Sequence, residues 1–147
     1  MKFPWKRLFS VLMTLCILLS ILCTAASAVT VRSSAYLDSY VCMVTARSGG
    51  EIVVSASVDA VIRATEIGAT DVYIYESSND VDYTCVEEYH AEDYPEMLDS
   101  GRHFNSDVAT YEGTSGKYYY AVVYVYAGNS TGGDTRRYET ACVRAIS

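Results

Sequence analysis

A short acidic segment holds the side chains best suited to bind a metal ion. Imidazole and carboxylate groups are common ligands of divalent cations, and in this segment they belong to His90, Glu92, Asp93, Glu96 and His103. Their spacing matches no metal-binding motif. Acidic surface segments are more often solvated than ligated. We therefore predict neither a metal ion nor any other cofactor.

The sequence contains no recognisable catalytic motif. It lacks the G-x-S-x-G and H-E-x-x-H patterns, and its cysteines and histidines do not occur in the context of a known thiol enzyme. A single domain of this size has little room for a deep cleft. We therefore predict that the protein is not an enzyme.

The segment with the most distinctive chemistry is rich in tyrosine: residues 117–127 read KYYYAVVYVYA and lie between Gly116 and Gly128. The side chains of a β-strand alternate between its two faces. One face is then small and apolar, as a core requires, and holds Tyr119, Ala121, Val123, Val125 and Ala127. The opposite face holds Tyr118, Tyr120, Val122, Tyr124 and Tyr126. The pattern predicts a strand with one buried face and one aromatic face.

The aromatic face is a candidate binding surface, formed by Tyr118, Tyr120, Tyr124 and Tyr126. Tyr73 and Tyr75 on a neighbouring strand would extend it. Tyrosine presents a flat apolar ring with a polar tip, which suits stacking on a sugar or anchoring a protein partner. The alternative is a structural role, because tyrosine has a high β propensity and cross-strand aromatic pairs stabilise a sheet.

Residues 1–28 have the pattern of a secretory signal peptide. An uncharged, leucine-rich run at 8–23 is short for a membrane span. It is preceded by three basic residues, Lys2, Lys6 and Arg7. It is followed by a small-residue cleavage site that ends at Ala28. We predict cleavage after Ala28 and a secreted protein, with an uncleaved N-terminal anchor as the alternative.

Removal of this segment leaves a strongly acidic chain, residues 29–147. Three of the 11 Lys+Arg leave with it, so 8 remain against 18 Asp+Glu, a net charge of −10. All 14 tyrosines also remain. The length fits one domain. Because negative charge repels nucleic acid and anionic lipid, we expect no nucleic-acid partner and no membrane partner after cleavage. An extracellular protein or glycan is the partner that this composition allows.

Three cysteines remain in this domain: Cys42, Cys85 and Cys142. Any of the three pairings leaves one thiol without an intramolecular partner. Cys42 shares a strand face with the inward-facing Val44, whereas Cys142 alternates away from Val143 and Ala145. This parity argues against a bridge between Cys42 and Cys142. We predict at least one free thiol and assign no disulfide.

Seven segments with strand-like patterns are separated by turn residues, which predicts an all-β domain folded as a single antiparallel sandwich. The segments are 40–46, 51–60, 71–76, 81–89, 106–111, 117–127 and 135–146. Residues 90–101 do not look like strand and have room for a helical turn next to Pro95. The alternation predicts that the core contains Ile52, Val54, Ala56, Val58, Val72, Ile74, Tyr119, Ala121, Val123 and Val125.

Residues 116–127, GKYYYAVVYVYA, resemble the start of strand F in fibronectin type III and immunoglobulin-like domains. In those domains a tyrosine hydrogen-bonds back to upstream backbone, and the resemblance makes Tyr119 that corner residue. With IGATDVYIYES at 67–77 and GGDTRRY at 132–138, the domain is similar to a family of small secreted proteins of Gram-positive bacteria. That family has one Ig-like domain of unknown function, so the resemblance implies a fold and a location but no catalytic residue.

Two functions follow from these observations. The first is a secreted, non-catalytic binding or adhesion module that uses an exposed tyrosine-rich sheet face. The second is a structural or self-assembling extracellular protein with no small ligand.

Overall fold

The computed structural model describes residues 34–147, so the predicted signal peptide at 1–28 lies outside the described residues. Strands make up 71 % of this part of the chain. They are β1 (Leu37–Ala46), β2 (Glu51–Ser77), β3 (Thr84–His90), β4 (Leu98–Glu112), β5 (Tyr118–Asn129), β6 (Gly132–Glu139) and β7 (Val143–Arg144). Between them the structure has short 3-10 helices at Ser48–Gly50 and Pro95–Met97. The prediction of an all-β protein is confirmed.

All seven strands pair antiparallel in one continuous sheet, and β2 is its central element. The first half of β2 pairs with β1 and β4, while its second half pairs with β3 and β5. On its other side β5 pairs with β6 and β7. The tyrosine-rich strand β5 therefore has partners on both sides, so its backbone is not a free edge that other chains can extend.

The sheet curls because β2 bends between its halves. The register with β4 shifts between Asp59 and Ala64 and again before Ile67. Gly68 then lies against the chain at Met97, where an added Cβ would be 2.2 Å from the Met97 carbonyl oxygen. Its φ of +146° also disfavours any residue with a side chain. Glycine at this position lets the bent strand approach the segment that leads into β4.

The curled sheet closes around one hydrophobic core. Tyr40 of β1 packs edge-on against Tyr138 of β6, with ring centroids 6.1 Å apart. Tyr111 of β4 packs against Tyr119 of β5 at 6.0 Å. These strands are not hydrogen-bonded neighbours, so the two halves of the sheet face each other. All ten residues predicted for the core are buried, which confirms the predicted register of every strand concerned.

Tyr119 is fully buried, and its hydroxyl anchors the turn before β5. The backbone N–H of Thr114, five residues upstream, donates to this hydroxyl at 2.8 Å. The hydroxyl donates in turn to Glu76 at 2.5 Å, and Lys117 forms an ion pair with the same carboxylate. Burial and the bond to Glu76 raise the pKa of Tyr119 to about 12. The tyrosine therefore makes the upstream backbone bond expected of a corner residue.

Element boundaries differ from the predictions in several strands. β4 begins at Leu98 and so includes residues 98–101, which the sequence did not predict as strand, because Ile67 and Gly68 of β2 pair with Asp99 and Leu98. The predicted strands 51–60 and 71–76 are one strand, because pairing passes from β4 to β5 without a turn between them. The segment 135–146 is interrupted after β6, where the Thr140 hydroxyl accepts a bond from the Ala121 N–H at 2.9 Å. The gap between the predicted strands 117–127 and 135–146 shrinks to two residues, because β5 and β6 pair as far as Asn129 and Gly132.

Candidate functional site

The predicted aromatic residues lie together on the outer, convex face of the sheet. In the β2–β5 pair, Tyr75 is the register partner of Tyr120, and Tyr73 is the partner of Val122. We use the name tyrosine face for the set Tyr73, Tyr75, Tyr118, Tyr120, Tyr124 and Tyr126. Each member is half-buried, whereas the sequence predicted an exposed face. The rings are therefore held by neighbours while part of each remains open to solvent.

Ring contacts between adjacent strands account for this half-burial. Tyr75 and Tyr120 are stacked, with centroids 4.9 Å apart and planes 2° from parallel. Tyr73 and Tyr124 meet edge-to-face at 6.1 Å. Val122 lies between these two pairs and is only 4 % exposed. Its predicted position on the aromatic side is correct, and its burial is a consequence of the surrounding rings.

The two ends of β5 hold their tyrosines in different ways. The guanidinium of Arg144 lies 5.6 Å from the centre of the Tyr118 ring, a cation–π arrangement. At the other end the Tyr126 ring covers two glycines, because a Cβ on Gly128 or Gly133 would come within 2.6 Å of ring or hydroxyl atoms. These glycines form a flat shelf on which the aromatic ring lies.

A cluster of Asp80, Tyr83 and Cys142 borders the tyrosine face. Tyr83 packs against Tyr120 with ring centroids 4.8 Å apart. Its hydroxyl bonds to Asp80 and lies 3.0 Å from the Cys142 sulfur. Burial, together with the bond to Asp80, raises the pKa of Tyr83. The sequence does not reveal this cluster, because it depends on the turn at Asp80, whose φ of 60° is unusual for a residue other than glycine.

At the β3 side of the tyrosine face lies a histidine held by two carboxylates. His90 Nδ1 is 2.8 Å from Asp71, its Nε2 is 3.6 Å from Glu88, and its ring packs edge-on against Tyr73 at 5.9 Å. The hydrogen bond to Asp71 raises the pKa of His90, and the charges of Asp71 and Glu88 add to this effect against a smaller opposing effect of desolvation. The two carboxylates therefore stabilise the imidazolium form of His90 relative to that of a solvated histidine.

An open groove of about 640 Å³ adjoins this histidine. Its wall includes the carboxylates Glu66, Asp71 and Glu92 together with His90. The groove lies where β2 passes the end of β3, and the His90 ring in its wall packs against Tyr73 of the tyrosine face.

The side chains considered as metal ligands are dispersed. His90 pairs with Asp71, and His103 Nδ1 pairs with Asp59 at 2.6 Å on a different part of β2. Within residues 34–147 no group of three or more histidine, cysteine, aspartate or glutamate side chains has the geometry to hold a metal ion. The acidic segment itself forms the 3-10 helix at Pro95–Met97, with Met97 buried.

Cys42, Cys85 and Cys142 are all free thiols in the described part of the chain. Cys42 is buried in the core, as its strand parity predicted, and burial raises its pKa to about 12. Cys142 is exposed and points away from the buried Ala145, again as predicted. The predicted free thiol is present, and these three residues form no disulfide.

The fold and the tyrosine face define an all-β protein whose curled antiparallel sheet carries an aromatic outer surface. Comparisons of the chain with protein families, with curated proteins and with solved structures found no match. Within residues 34–147, no helix has the length and apolar character needed to cross a membrane.

Proposed function

We propose that this protein is a secreted, non-catalytic binding module, and that its binding surface is the tyrosine face. The observation that carries the proposal is that six tyrosines on adjacent strands are held half-buried by their neighbours and share one outer surface. Hydroxyl bonds to other parts of the protein occur at Tyr36, Tyr83, Tyr89 and Tyr119, none of which belongs to this face. Tyr124 interacts with Arg137. Within residues 34–147 the hydroxyls of the other five members make no hydrogen bond to the protein, so they are available to a partner.

Rigid tyrosines suit recognition for an energetic reason. A side chain that is ordered before binding loses little conformational entropy when the complex forms. Tyrosine adds a large amphipathic contact area with few rotatable bonds, as in antibody combining sites. The stacked pair of Tyr75 and Tyr120 and the glycine shelf beneath Tyr126 supply this ordering.

The ring geometry favours a protein partner over a glycan. Sugar stacking needs a free aromatic ring face. One face of Tyr120 is taken up by Tyr75, and one face of Tyr118 by Arg144. These contacts reduce the ring area on which a sugar can stack, whereas tyrosine hydroxyls and ring surfaces suit the carbonyls and apolar side chains of a protein.

The strand pairing supports an immunoglobulin-like or fibronectin type III-like arrangement within the curled sheet. Strands β1, the first half of β2 and β4 correspond to A, B and E, while β3, the second half of β2, β5 and β6 correspond to C′, C, F and G. The Tyr119 bond to the Thr114 backbone adds to this correspondence. Secretion is supported by the sequence pattern of residues 1–28.

The alternative is a structural or self-assembling extracellular protein. The observation that favours it is the same stacked pair, because cross-strand aromatic contacts stabilise a sheet whether or not it binds anything. In that case the tyrosine face contributes to stability or to contacts between copies and retains no other molecule.

An array of immobilised extracellular proteins and glycans distinguishes these functions. It is probed with residues 29–147 of the wild type, with the variant Tyr120→Ser/Tyr124→Ser and with the control Tyr94→Ser, which changes an exposed tyrosine outside the face. We expect the wild type and the control to be retained by the same protein, and the double variant to be lost from it.

Both variants are tested well below their melting temperatures, because loss of the Tyr75–Tyr120 stack also lowers stability. Sedimentation of the wild type and the double variant reports on assembly. Absence of any retained partner, together with an oligomer that the double change dissociates, would establish the structural alternative.

A further inference from the structure

The tyrosine face has an acidic margin on one side. Asp71 and Glu88 lie beside Tyr73 at the β3 side, and the groove next to them adds Glu66 and Glu92. Among residues 34–147, ion pairs to Asp71 and Glu88 come from His90, and none is formed by Glu66 or Glu92. His90 also lines the groove, but its positive charge is matched by Asp71 and Glu88. Glu66 and Glu92 are therefore the groove carboxylates that can pair with an incoming cation.

The opposite margin of the face differs in charge. Arg137 is paired with Glu139 at 2.8 Å, and Arg144 lies over the Tyr118 ring. These two arginines already have partners on the protein. The carboxylates without an ion-pair partner, Glu66 and Glu92, therefore lie on the β3 side of the face, in the groove.

A side chain that combines an apolar stem with a cationic head fits this arrangement. Lysine and arginine lay their methylene groups on apolar surfaces while the charged group reaches a polar region. Tyrosine rings attract such cations, and carboxylates in a groove strengthen the attraction. The ring of Tyr73 and the neighbouring groove match the two parts of that side chain.

The net negative charge of residues 29–147 favours a cationic partner. Residues 29–147 have 8 Lys+Arg against 18 Asp+Glu. This charge attracts a cationic partner over long range and repels both a second copy and an anionic glycan. Long-range attraction and local chemistry therefore favour the same class of partner.

We propose that the tyrosine face binds a lysine- or arginine-containing segment of a partner protein, with one cationic side chain lying across Tyr73 into the groove lined by Glu66, Asp71 and Glu92. This inference rests on the proposed binding function and specifies its partner. The cation enters from the β3 side, so the bound segment has a defined orientation across β2 and β5.

The test uses tetralysine, acetylated at its N-terminus and amidated at its C-terminus, and the same peptide with every lysine side chain acetylated. Calorimetry measures binding to residues 29–147 at low salt. The groove variant is Glu66→Gln/Glu92→Gln. The matched control is Asp38→Asn/Glu112→Gln, which removes the same charge from exposed positions outside the groove.

We expect saturable binding of tetralysine, no binding of its acetylated form, and an affinity about tenfold lower for the groove variant, equivalent to about 1.4 kcal/mol. The control should stay within about twofold of wild type, because screened charges outside the site contribute little. Amide chemical shifts of the wild-type protein should move at Glu66, His90 and Glu92 when the peptide is added, which reports the site without any substitution.

Equal losses in the groove variant and the control would overturn the inference, because they indicate attraction to the acidic surface as a whole. No tetralysine binding, or shift changes away from the groove, would overturn it as well. If tetralysine does not bind but the array retains a protein in a way that depends on Tyr120 and Tyr124, the proposed binding function is still supported and only the cationic partner is excluded. If the array retains no partner and tetralysine does not bind, both the binding function and the cationic partner are excluded.

Discussion

Tyr75 and Tyr120 are direct register partners across the β2–β5 pair, and their rings lie parallel with centroids 4.9 Å apart. Tyr83, at the start of the segment that forms β3, packs against the same Tyr120 ring at 4.8 Å. Three parts of the chain thus meet at one aromatic side chain. The shape of the tyrosine face and the stability of the outer sheet surface depend on this contact.

We predict an energetic coupling between Tyr75 and Tyr120. A double-mutant cycle with Tyr75→Leu and Tyr120→Leu should give about 0.5–1.5 kcal/mol in the free energy of urea-induced unfolding, because aromatic pairs contribute this much beyond the area they bury. The same cycle on Tyr73 and Tyr118, which are not in ring contact, should give a coupling near zero. Similar values for both cycles would contradict a specific stacking energy.

Gly133→Ala should destabilise the protein through Tyr126. The new methyl group would lie 2.3 Å from the Tyr126 hydroxyl oxygen, so the ring must move. Overpacking of this kind costs about 1–3 kcal/mol in the free energy of unfolding. Adding Tyr126→Ala removes the clash, so Gly133→Ala should cost much less in that background.

Gly49→Ala is the control for the glycine shelf. No atom lies within 4 Å of the added methyl group, and its cost of about 1 kcal/mol comes from the positive φ of 83°. That cost should not change when Tyr126 is replaced. A Gly133→Ala penalty that is also independent of Tyr126 would show that the ring does not rest on this glycine.

Glu76 should make stability fall in acid. Desolvation raises the pKa of Glu76, but hydrogen bonds from Lys117 and Tyr119 and the Lys117 charge outweigh it, so the folded-state pKa lies below the ordinary 4.5. A lowered carboxyl pKa stabilises the fold above the unfolded-state value, and this stabilisation is lost as the pH falls from about 4.5 through the folded-state pKa.

Glu76→Gln should remove that part of the acid dependence. It should also cost about 1–3 kcal/mol at neutral pH, because the buried Tyr119 hydroxyl and Lys117 lose a charged partner. Urea unfolding of wild type and variant between pH 3 and pH 7 measures both effects. Parallel pH curves for the two proteins would exclude a contribution of Glu76 to acid unfolding.

His90 should titrate above its ordinary pKa of 6.5, because Asp71 hydrogen-bonds to its ring and Asp71 and Glu88 are negatively charged. A raised histidine pKa adds stability below 6.5 that disappears as the pH rises through the folded-state value. Imidazole proton shifts followed by NMR give the midpoint. Asp71→Asn should lower the pKa of His90 more than Glu88→Gln does. Asp71 lies 2.8 Å from Nδ1 of the ring, whereas Glu88 lies 3.6 Å from Nε2.

Thiol titration should count three reactive groups in the denatured residues 29–147, since the three cysteines are free. In the native state Cys42 should not react, because it is 3 % exposed and burial raises its pKa to about 12. Cys42→Ala should reduce the denatured count to two and leave the native count unchanged. A single reactive group in the denatured protein would show that a disulfide forms in solution.

The sequence by itself determined which side of each principal strand is buried. The alternation in β2 and β5 placed Val54, Val72 and Tyr119 inward, and all three are fully buried. This pattern is local, because neighbouring side chains on a strand point to opposite faces regardless of what they contact. The same parity placed Cys42 inside and Cys142 outside, and it aligned the tyrosines on one outer face.

The tertiary structure decided what surrounds those tyrosines. Tyr83 contacts Tyr120 and also Cys142, which is 59 residues away in the sequence. The left-handed turn at Asp80 places Tyr83 in this position. Continuous pairing through the bend of β2 likewise depends on which strand lies alongside at each point. Such contacts arise from the packing of segments that are distant in sequence. The two-residue alternation of side chains along a strand does not predict them. The half-burial of the tyrosine face and the groove beside His90 are therefore properties of the folded sheet.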